Sequence, residues 1–368
     1  MENLKFWNKI RSPFKGMFNN NGNGQELTEE DIKKRKEKRK ELLINNLLYF
    51  LIIIYVIAVS ISNPRFISFN NIVNILNQMA SRLPIALGVA GAIVLTGTDL
   101  SAGRVIGLTA CITASLLQSQ DYAFKMFPAL GDVPVIVVVL IVVLVGGLIG
   151  LFNGFFIARF KLHPFIVTLS TQLIVYATTL YYITLGTNDG KPIGGIREDV
   201  RQLVVGGFEL FGVRIQYQIL YAILVTILVW FIWNKTVFGK NMFAVGSNPE
   251  AANVSGISVN KTIIATFTLA GMLYGFNGFI QSINIGSNNA ATGVNFELDA
   301  IAAAVIGGVS FSGGVGRISG VVLGVFLLQL ITSSFIFLGI APNLQYVIKG
   351  FIILFACAID MRKYITRR

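Results

Sequence analysis

The chain has 368 residues, of which 54% are hydrophobic and 13% charged, whereas soluble globular domains average about 45–50% apolar and about 25% charged. That composition excludes an ordinary soluble domain and describes a protein immersed in a bilayer. The formal net charge of +12 would suit nucleic acid, but the 30 Lys and Arg residues gather mostly on one side of the apolar runs, which is the signature of membrane topology.

Residues 1–41 read as a cytoplasmic basic tail. It contains an Asn-rich stretch at 19–23, a helix start of capping-box type at Thr28 and Asp31, and the run Lys33–Lys40, which suits anionic lipid headgroups. The first apolar run begins only after this tail and lacks a small-residue cleavage site at its exit, so it reads as a retained span and not as a signal peptide. An all-α, polytopic protein of about ten transmembrane helices is predicted, near Leu42–Ser62, Ile72–Thr96, Gly103–Gln120, Val133–Ala158, Phe165–Leu185, Ile215–Trp233, Thr262–Ile285, Leu298–Phe311, Ile318–Leu338 and Asn343–Ile359. The organisation is then a first membrane half over 42–185, an extracytoplasmic loop over 186–214, a single span over 215–233, a cytoplasmic loop over 234–261, a second half over 262–360 and a basic tail over 361–368. Arg104, Arg159, Lys161, Lys235, Lys240, Lys261, Arg317 and the two tails place both termini inside. The second and third spans meet at Gly97–Ser101 and the eighth is short, so broken or re-entrant helices are expected, shielded from lipid by protein or water.

Two regularities concern packing. Gly103-Arg104-Val105-Ile106-Gly107 and Gly316-Arg317-Ile318-Ser319-Gly320 share Gly-Arg-x-x-Gly at apolar helix starts, which predicts a parallel repeat of spans one to four and seven to ten. Gly146, Gly150 and Gly154, then Gly271 and Gly275, then Gly316, Gly320 and Gly324 recur at four-residue spacing and mark close helix crossings.

Catalytic templates fail. Gly239-Lys240 is followed by Asn241 and lacks the earlier glycine of a phosphate-binding loop, the single histidine is His163, and Cys111 and Cys357 make no metal or disulfide spacing. The expectation is a protein that is not an enzyme and holds no cofactor or metal. The Asn-x-Thr/Ser triplets at Asn234, Asn253 and Asn260 fall in the predicted cytoplasmic loop, out of reach of glycosylation. Arg82, Asp99, Arg104, Glu297, Asp299 and Lys349 lie in or against the membrane, where a charge at mid-span costs about 2.5–3.5 kcal/mol on insertion scales. Asp99, Arg104, Glu297, Asp299 and Arg317 are candidates for helix breaks and gating; a structural Asp99–Arg104 pair across the break and a snorkelling Lys349 are the plainer alternatives. The amides of Asn77, Gln78, Asn277 and Gln281 are candidates for lining a path for a hydroxyl-rich solute, or for bonding neighbouring helices.

A polar, turn-rich stretch at 246–256 separates two long apolar runs, with Asn248 and Pro249 placed to start a short helix. Glu250-Ala251-Ala252-x-x-x-Gly256 resembles the signature by which permeases of ABC importers dock a separate ATPase. The resemblance extends from about Leu47 to Lys363. Its motifs include Gly97-Thr98-Asp99-Leu100-Ser101-Ala102-Gly103-Arg104, Thr113–Ser119, Phe238-Gly239-Lys240-Asn241, Asn248-Pro249-Glu250-Ala251-Ala252, and Glu297–Ala303 leading to Gly307–Gly316. The chain is thereby similar to the galactose/methyl-galactoside permeases of bacterial ABC sugar importers, within the ribose/galactose permease family. The long N-terminal tail and Arg317, where a small residue is expected, depart from the pattern. The resemblance implies a type II importer-like fold in the bacterial inner membrane, a homodimer, an ABC ATPase that binds the ATP, an extracytoplasmic sugar-binding protein, and coupling through Asn248, Pro249, Glu250, Ala251, Ala252 and Gly256. An ion-coupled secondary sugar transporter using Asp99, Glu297 and Asp299 is the alternative.

Overall fold

Residues 54–365 are described by the computed structural model, without the side chains of 356 and 359–365. The tail with Thr28, Asp31 and Lys33–Lys40, most of the first predicted span, and Arg367 and Arg368 lie outside the described residues. One compact unit starts at Ala58. After a short 3-10 turn at Pro64–Ile67 come α1 (Phe69–Val94), α2 (Ala102–Leu116), α3 (Val135–Phe160), α4 (Pro164–Tyr182), α5 (Glu198–Val204), β1 (Gly207–Leu210), β2 (Val213–Gln216) and α6 (Gln218–Lys235). These are followed by α7 (Val237–Ser247), α8 (Pro249–Val254), α9 (Val259–Ile285), α10 (Phe296–Ile306), α11 (Ile318–Phe337) and α12 (Pro342–Ile365).

Five of these helices, α3, α4, α6, α9 and α11, are long and apolar enough to cross a membrane. At about 1.5 Å per residue a crossing takes about 20 residues. The predicted third span therefore becomes a shorter helix, α2, of 15 residues. The predicted eighth becomes α10, of 11 residues. The mostly helical architecture matches the sequence reading at this level.

The bundle is centred on α9, which packs against α3, α2 and α1. The α3–α9 crossing is backbone against backbone: a Cβ added at Gly146 would stand 2.2 Å from the Gly271 carbonyl, one at Gly150 2.1 Å from that of Phe267, and one at Gly275 2.1 Å from that of Val142. Side chains there would hold the helices apart; their absence lets long stretches of apolar backbone meet where hydrophobicity alone provides no attraction between helices. The opposite face of α3 presents Ile136, Leu140, Leu144, Leu148 and Phe155 outward, and α6 does the same with Leu224, Ile227, Leu228 and Phe231. Such faces are suited to acyl chains.

Connections gather at two ends. At one, the turn after α1 packs on the turn before α4, where a Cβ on Gly97 would meet Pro164 at 3.2 Å, and on the segments around α7 and 310–316, where the Gly314 amide donates to the Val94 carbonyl at 2.9 Å. At the other, residues 117–134, 183–217 and 286–293 lace together through the bridges Gln118–Ile196 and Ile193–Asn288. That end carries the antiparallel β1–β2 hairpin, turned at Phe211 and Gly212 with φ of 52° and 74°, a pair of left-handed residues that matches hairpin twist. It also holds the ion pair of Arg197 with Asp132 at 3.2 Å. Hydrogen bonds from Gln120 and Arg197 hold the Asp132 carboxyl below the usual carboxylate range.

The Gly-Arg-x-x-Gly copies differ in frame. Gly103 and Arg104 lie inside the first turn of α2, whereas Gly316 and Arg317 precede α11, with Arg317 as its N-cap. Gly103 faces Glu297 and Gly293, while its counterpart Gly316 faces the side chains of Val94 and Val309. Shared wording thus corresponds to unlike packing.

Gly146→Leu is expected to cost on the order of 3 kcal/mol by overpacking the α3–α9 crossing, read as a lower unfolding temperature of the purified protein in detergent. Gly350→Ala, with nothing within 4 Å of the added carbon, is the control. Equal unfolding temperatures would show that the crossing is not tight.

Candidate functional site

The polar segment between α6 and α9 is built from economical caps. Thr236 ends α6, accepts from the Gly239 amide at 3.2 Å and donates to Ile232 at 2.5 Å, so one hydroxyl serves two helix ends. Asn248 likewise closes α7 and caps α8, its side chain accepting from the Ala251 amide at 2.9 Å. Pro249 takes the first helical position, where a missing N–H costs nothing. Ala252 is buried in the core, whereas Glu250, Ala251, Asn253 and Gly256 are exposed and Val254 is 89% exposed. Gly256 has φ of 81°, a left-handed conformation that costs a side chain about 1 kcal/mol or more. The result is a six-residue helix standing at one end of the bundle on a single buried alanine.

This helix is tied to the membrane part through α7. A Cβ on Gly246 would lie 1.9 Å from the Val94 carbonyl and 2.9 Å from the Gly314 nitrogen, and one on Gly313 would lie 2.3 Å from the Gly246 carbonyl. The end of α1, the end of α7 and the 310–316 turn are therefore in backbone contact. A displacement of α8 and α7 would press directly on the two places where membrane helices are interrupted.

The first interruption, residues 95–101, is held by side chains. Thr168 of α4 donates to the Thr98 carbonyl at 3.1 Å and accepts from the Leu100 amide at 3.2 Å. Asp99 is fully buried and accepts from both the amide (3.0 Å) and hydroxyl (2.6 Å) of Ser101. Asn153 of α3 donates to the Ser101 hydroxyl at 3.0 Å and accepts from Thr171 at 2.6 Å. The second carboxylate oxygen of Asp99 and the Tyr274 hydroxyl beside it are both buried.

The start of α10 holds the other charges. Glu297 is 6% exposed, packed against Gly103, and one of its oxygens is unbonded. Asp299 pairs with Lys349 of α12 at 3.1 Å. Arg82 of α1 stacks over Phe296, its carbon 3.4 Å from the ring centre, and its Nη1 is buried without a hydrogen bond among the described residues. A cavity of about 10 Å³, room for a single water, lies between Arg82, Phe296, Asp299 and Gln329.

Two expectations are corrected here. Asp99 does not pair with Arg104: Ser101 takes the carboxylate, while Arg104 donates to the Ala290 carbonyl at 2.9 Å and stacks over Tyr176. Arg104 is thus packed inside the bundle and is no loop charge, because the chain before α10 folds back across Gly103 and Gly107. Lys349 does not snorkel, since Asp299 supplies a counter-charge one helix away. Arg317 is exposed. His163 caps α4, accepting from the Phe165 amide at 3.3 Å.

The amides divide. Asn277 and Gln281 both donate to the Ser81 carbonyl, at 2.7 and 2.9 Å, three residues before Pro84, which lies inside the continuous helix α1. These bonds tie α9 to the backbone of α1 one residue beyond Ala80, whose carbonyl Pro84 deprives of a helical N–H. Asn77 is 9% exposed and accepts from the Gln216 amide at 3.4 Å. Gln78 is exposed. Sequence reasoning missed Arg82–Phe296, Asp299–Lys349 and the Thr168 staple; Pro84 within a long apolar run was the available sign that some amide must serve a carbonyl nearby.

Residues 71–357 match the family described as branched-chain amino acid transport system / permease component. The galactose/methyl galactoside import permease protein MglC of Haemophilus influenzae is 45% identical over 307 residues, 83% of this chain and 90% of that protein. The Escherichia coli protein of the same name is 46% identical over the same shares. The ribose import permease protein RbsC of Bacillus subtilis is 36% identical over 84% of this chain and 90% of its own length. No solved structure matches.

Asp299→Asn is expected to destabilise the fold by on the order of 2 kcal/mol by leaving Lys349 in a half-buried site without its counter-charge. Asp299→Asn with Lys349→Met should recover part of that loss. Thermal unfolding of the two variants and of Lys349→Met alone closes the cycle; strictly additive losses would mean that the pair contributes no coupling.

Proposed function

Because the chain belongs to the branched-chain amino acid transport system / permease component family, we propose that it is the membrane subunit of an ATP-driven importer of galactose or a methyl galactoside. The observation that carries the substrate is the gap between 45–46% identity to permeases named for galactoside and 36% to one named for ribose. The protein is a multi-pass membrane permease. Its finer topology is read as about ten membrane segments, some of half length, with both termini inside. The end of the bundle that bears α8 is then cytoplasmic, in keeping with Lys235, Lys240 and Lys261 around it. The Gly-Arg-x-x-Gly repeat adds nothing to this reading, since its two copies pack differently.

In this reading ATP is bound by a separate ATPase, two copies of the chain form the path, and an extracytoplasmic sugar-binding protein delivers the substrate. Asn248, Pro249, Glu250, Ala251, Ala252 and Gly256 make the docking helix. Its exposed face meets the ATPase, with Glu250 in the first turn, where an anion complements the helix dipole. Closure of the ATPase pair carries α8 and α7 together, and the contacts of Gly246 with Val94 and Gly314 pass that motion to the helix breaks. ATP can drive transport only if the closed ATPase prefers one permease state over the other. Asp99, Arg104 and Asp299, each bonded inside the bundle, and Glu297, packed against Gly103, act by holding the breaks and not as ion sites.

Proteoliposomes containing the chain, its ATPase and its binding protein should accumulate labelled galactose, with ribose as control, only with ATP and both partners. Uptake driven by an ion gradient without ATP would overturn this reading. Val254→Asp, which changes an exposed docking position without straining the Gly256 turn, should leave the unfolding temperature unchanged and lower ATP-dependent uptake by roughly tenfold or more. Undiminished uptake would mean that α8 is not the docking helix.

A further inference from the structure

The outer half of α1 has two open sides of opposite character. Along this half, buried positions fall on two opposed flanks. One holds Asn71 and Ile75, with Asn71 bonded to Ser333 of α11 at 3.0 Å; the other holds Val73, Asn77 and Ala80, with Asn77 against the β2 end. Between these flanks the helix is uncovered twice. Phe69, Ile72 and Leu76 occupy one open side. Asn70, Asn74 and Gln78 occupy the other and are all exposed, at four-residue spacing that keeps them on one face. Ser81 and Arg82 continue that line inward, both partly buried.

An amide row open to hydrocarbon would leave several donors and acceptors unsatisfied, each at a cost, so this side faces water or a polar solute, while the Phe69–Leu76 side suits lipid. The row has a definite end. From Leu83 to Leu95 every residue of the chain is buried, so no open face continues toward the α8 end. At the junction stands Arg82, stacked on Phe296 with a buried, unbonded Nη1. The twelve-residue step from Asn70 to Arg82 spans about 18 Å, a little over half of a hydrocarbon core of about 30 Å.

We infer that Asn70, Asn74 and Gln78 line the outer half of the translocation path and hydrogen-bond a neutral, polyhydroxylated solute. Arg82 on Phe296 closes the inner end of that path in this conformation. The inference rests on the importer reading for the class of solute. Uncharged amides offer both donors and acceptors to hydroxyls without the strong binding that a charge would impose on a substrate that must leave. Asn77, Asn277 and Gln281, although amides of the same region, are buried and bond internal amides and carbonyls, and do not belong to the path.

The test uses the full chain with its ATPase and binding protein in cells, in a Cys357→Ser background, because Cys357 is only partly buried. Asn70→Cys, Asn74→Cys, Gln78→Cys and Leu76→Cys are exposed from outside to a membrane-impermeant, charged thiol reagent. The three amide-side variants should label readily and Leu76→Cys should not. Asn74→Leu with Gln78→Leu should reach the membrane in normal amount and lower uptake by roughly tenfold or more, the effect of losing one or two hydrogen bonds to a solute. Labelling of Asn74→Cys and Gln78→Cys no faster than that of Leu76→Cys would overturn the inference. So would oxidation that links either cysteine to a second copy of the chain while leaving it closed to the reagent, as would undiminished uptake by the double leucine variant. If galactose is not transported by the unaltered protein but the labelling pattern holds, the path stands and only the identity of the sugar fails.

Discussion

A backbone carbonyl or amide in a bilayer has no water to bond, and this protein interrupts its membrane helices at several places. The cost of those interruptions governs where its polar side chains go. At 95–101 the backbone is held by Thr168 on one side and by Asp99, Ser101 and Asn153 on the other. Before Pro84 the Ser81 carbonyl takes bonds from Asn277 and Gln281. At the start of α1 the buried Asn71 bonds both the Phe66 carbonyl and Ser333. At 95–101 and at the start of α1 these polar groups hold backbone where a helix breaks or begins, and before Pro84 they bond a carbonyl inside a continuous helix.

The same constraint joins the membrane part to its polar end. Interrupted helices can shift without tearing a continuous hydrogen-bond ladder, so the breaks after α1 and after α10 are the natural places for movement. Both meet the end of α7 through backbone contacts at Val94, Gly246 and Gly314. Glycines let the backbones touch at these points, so a displacement there is transmitted with little slack. The rigid counterpart is the α3–α9 crossing, where glycines on both helices bring backbones together and leave no room for sliding.

Much of this was legible in the residues. The glycine ladder of Gly146, Gly150 and Gly154 predicted a close crossing, and the partner ladder at Gly271 and Gly275 supplied its other half. The turn residues at 97–101 and the brevity of the eighth span signalled broken helices, and Asn248-Pro249 with Gly256 signalled a short capped helix. What the residues could not show was partnership across distant segments. Asp99 and Arg104 are near in sequence and opposite in charge, yet Ser101 takes the Asp99 carboxylate and the chain before α10 offers Arg104 a carbonyl. Lys349 and Asp299 are 50 residues apart, so no local pattern predicts their pairing. Asn77 and Gln78 are neighbours and chemically alike, but they point to different sides of α1, one into the β2 end and one into open space. Only the packing of the surrounding helices separates an amide that mends the backbone from one that is free to meet a solute.

The central claim is that polar groups inside the bundle sustain its broken helices and that one open amide face of α1 is left for the substrate. An electron cryomicroscopy map of the assembled transporter in a lipid nanodisc, collected with galactose, tests it most directly. Ordered water or sugar density along Asn70, Asn74 and Gln78, with acyl-chain density along Phe69, Ile72 and Leu76, is the predicted result. Acyl chains packed against the amide row, with sugar bound instead among Asn77, Asn277 and Gln281, would contradict it.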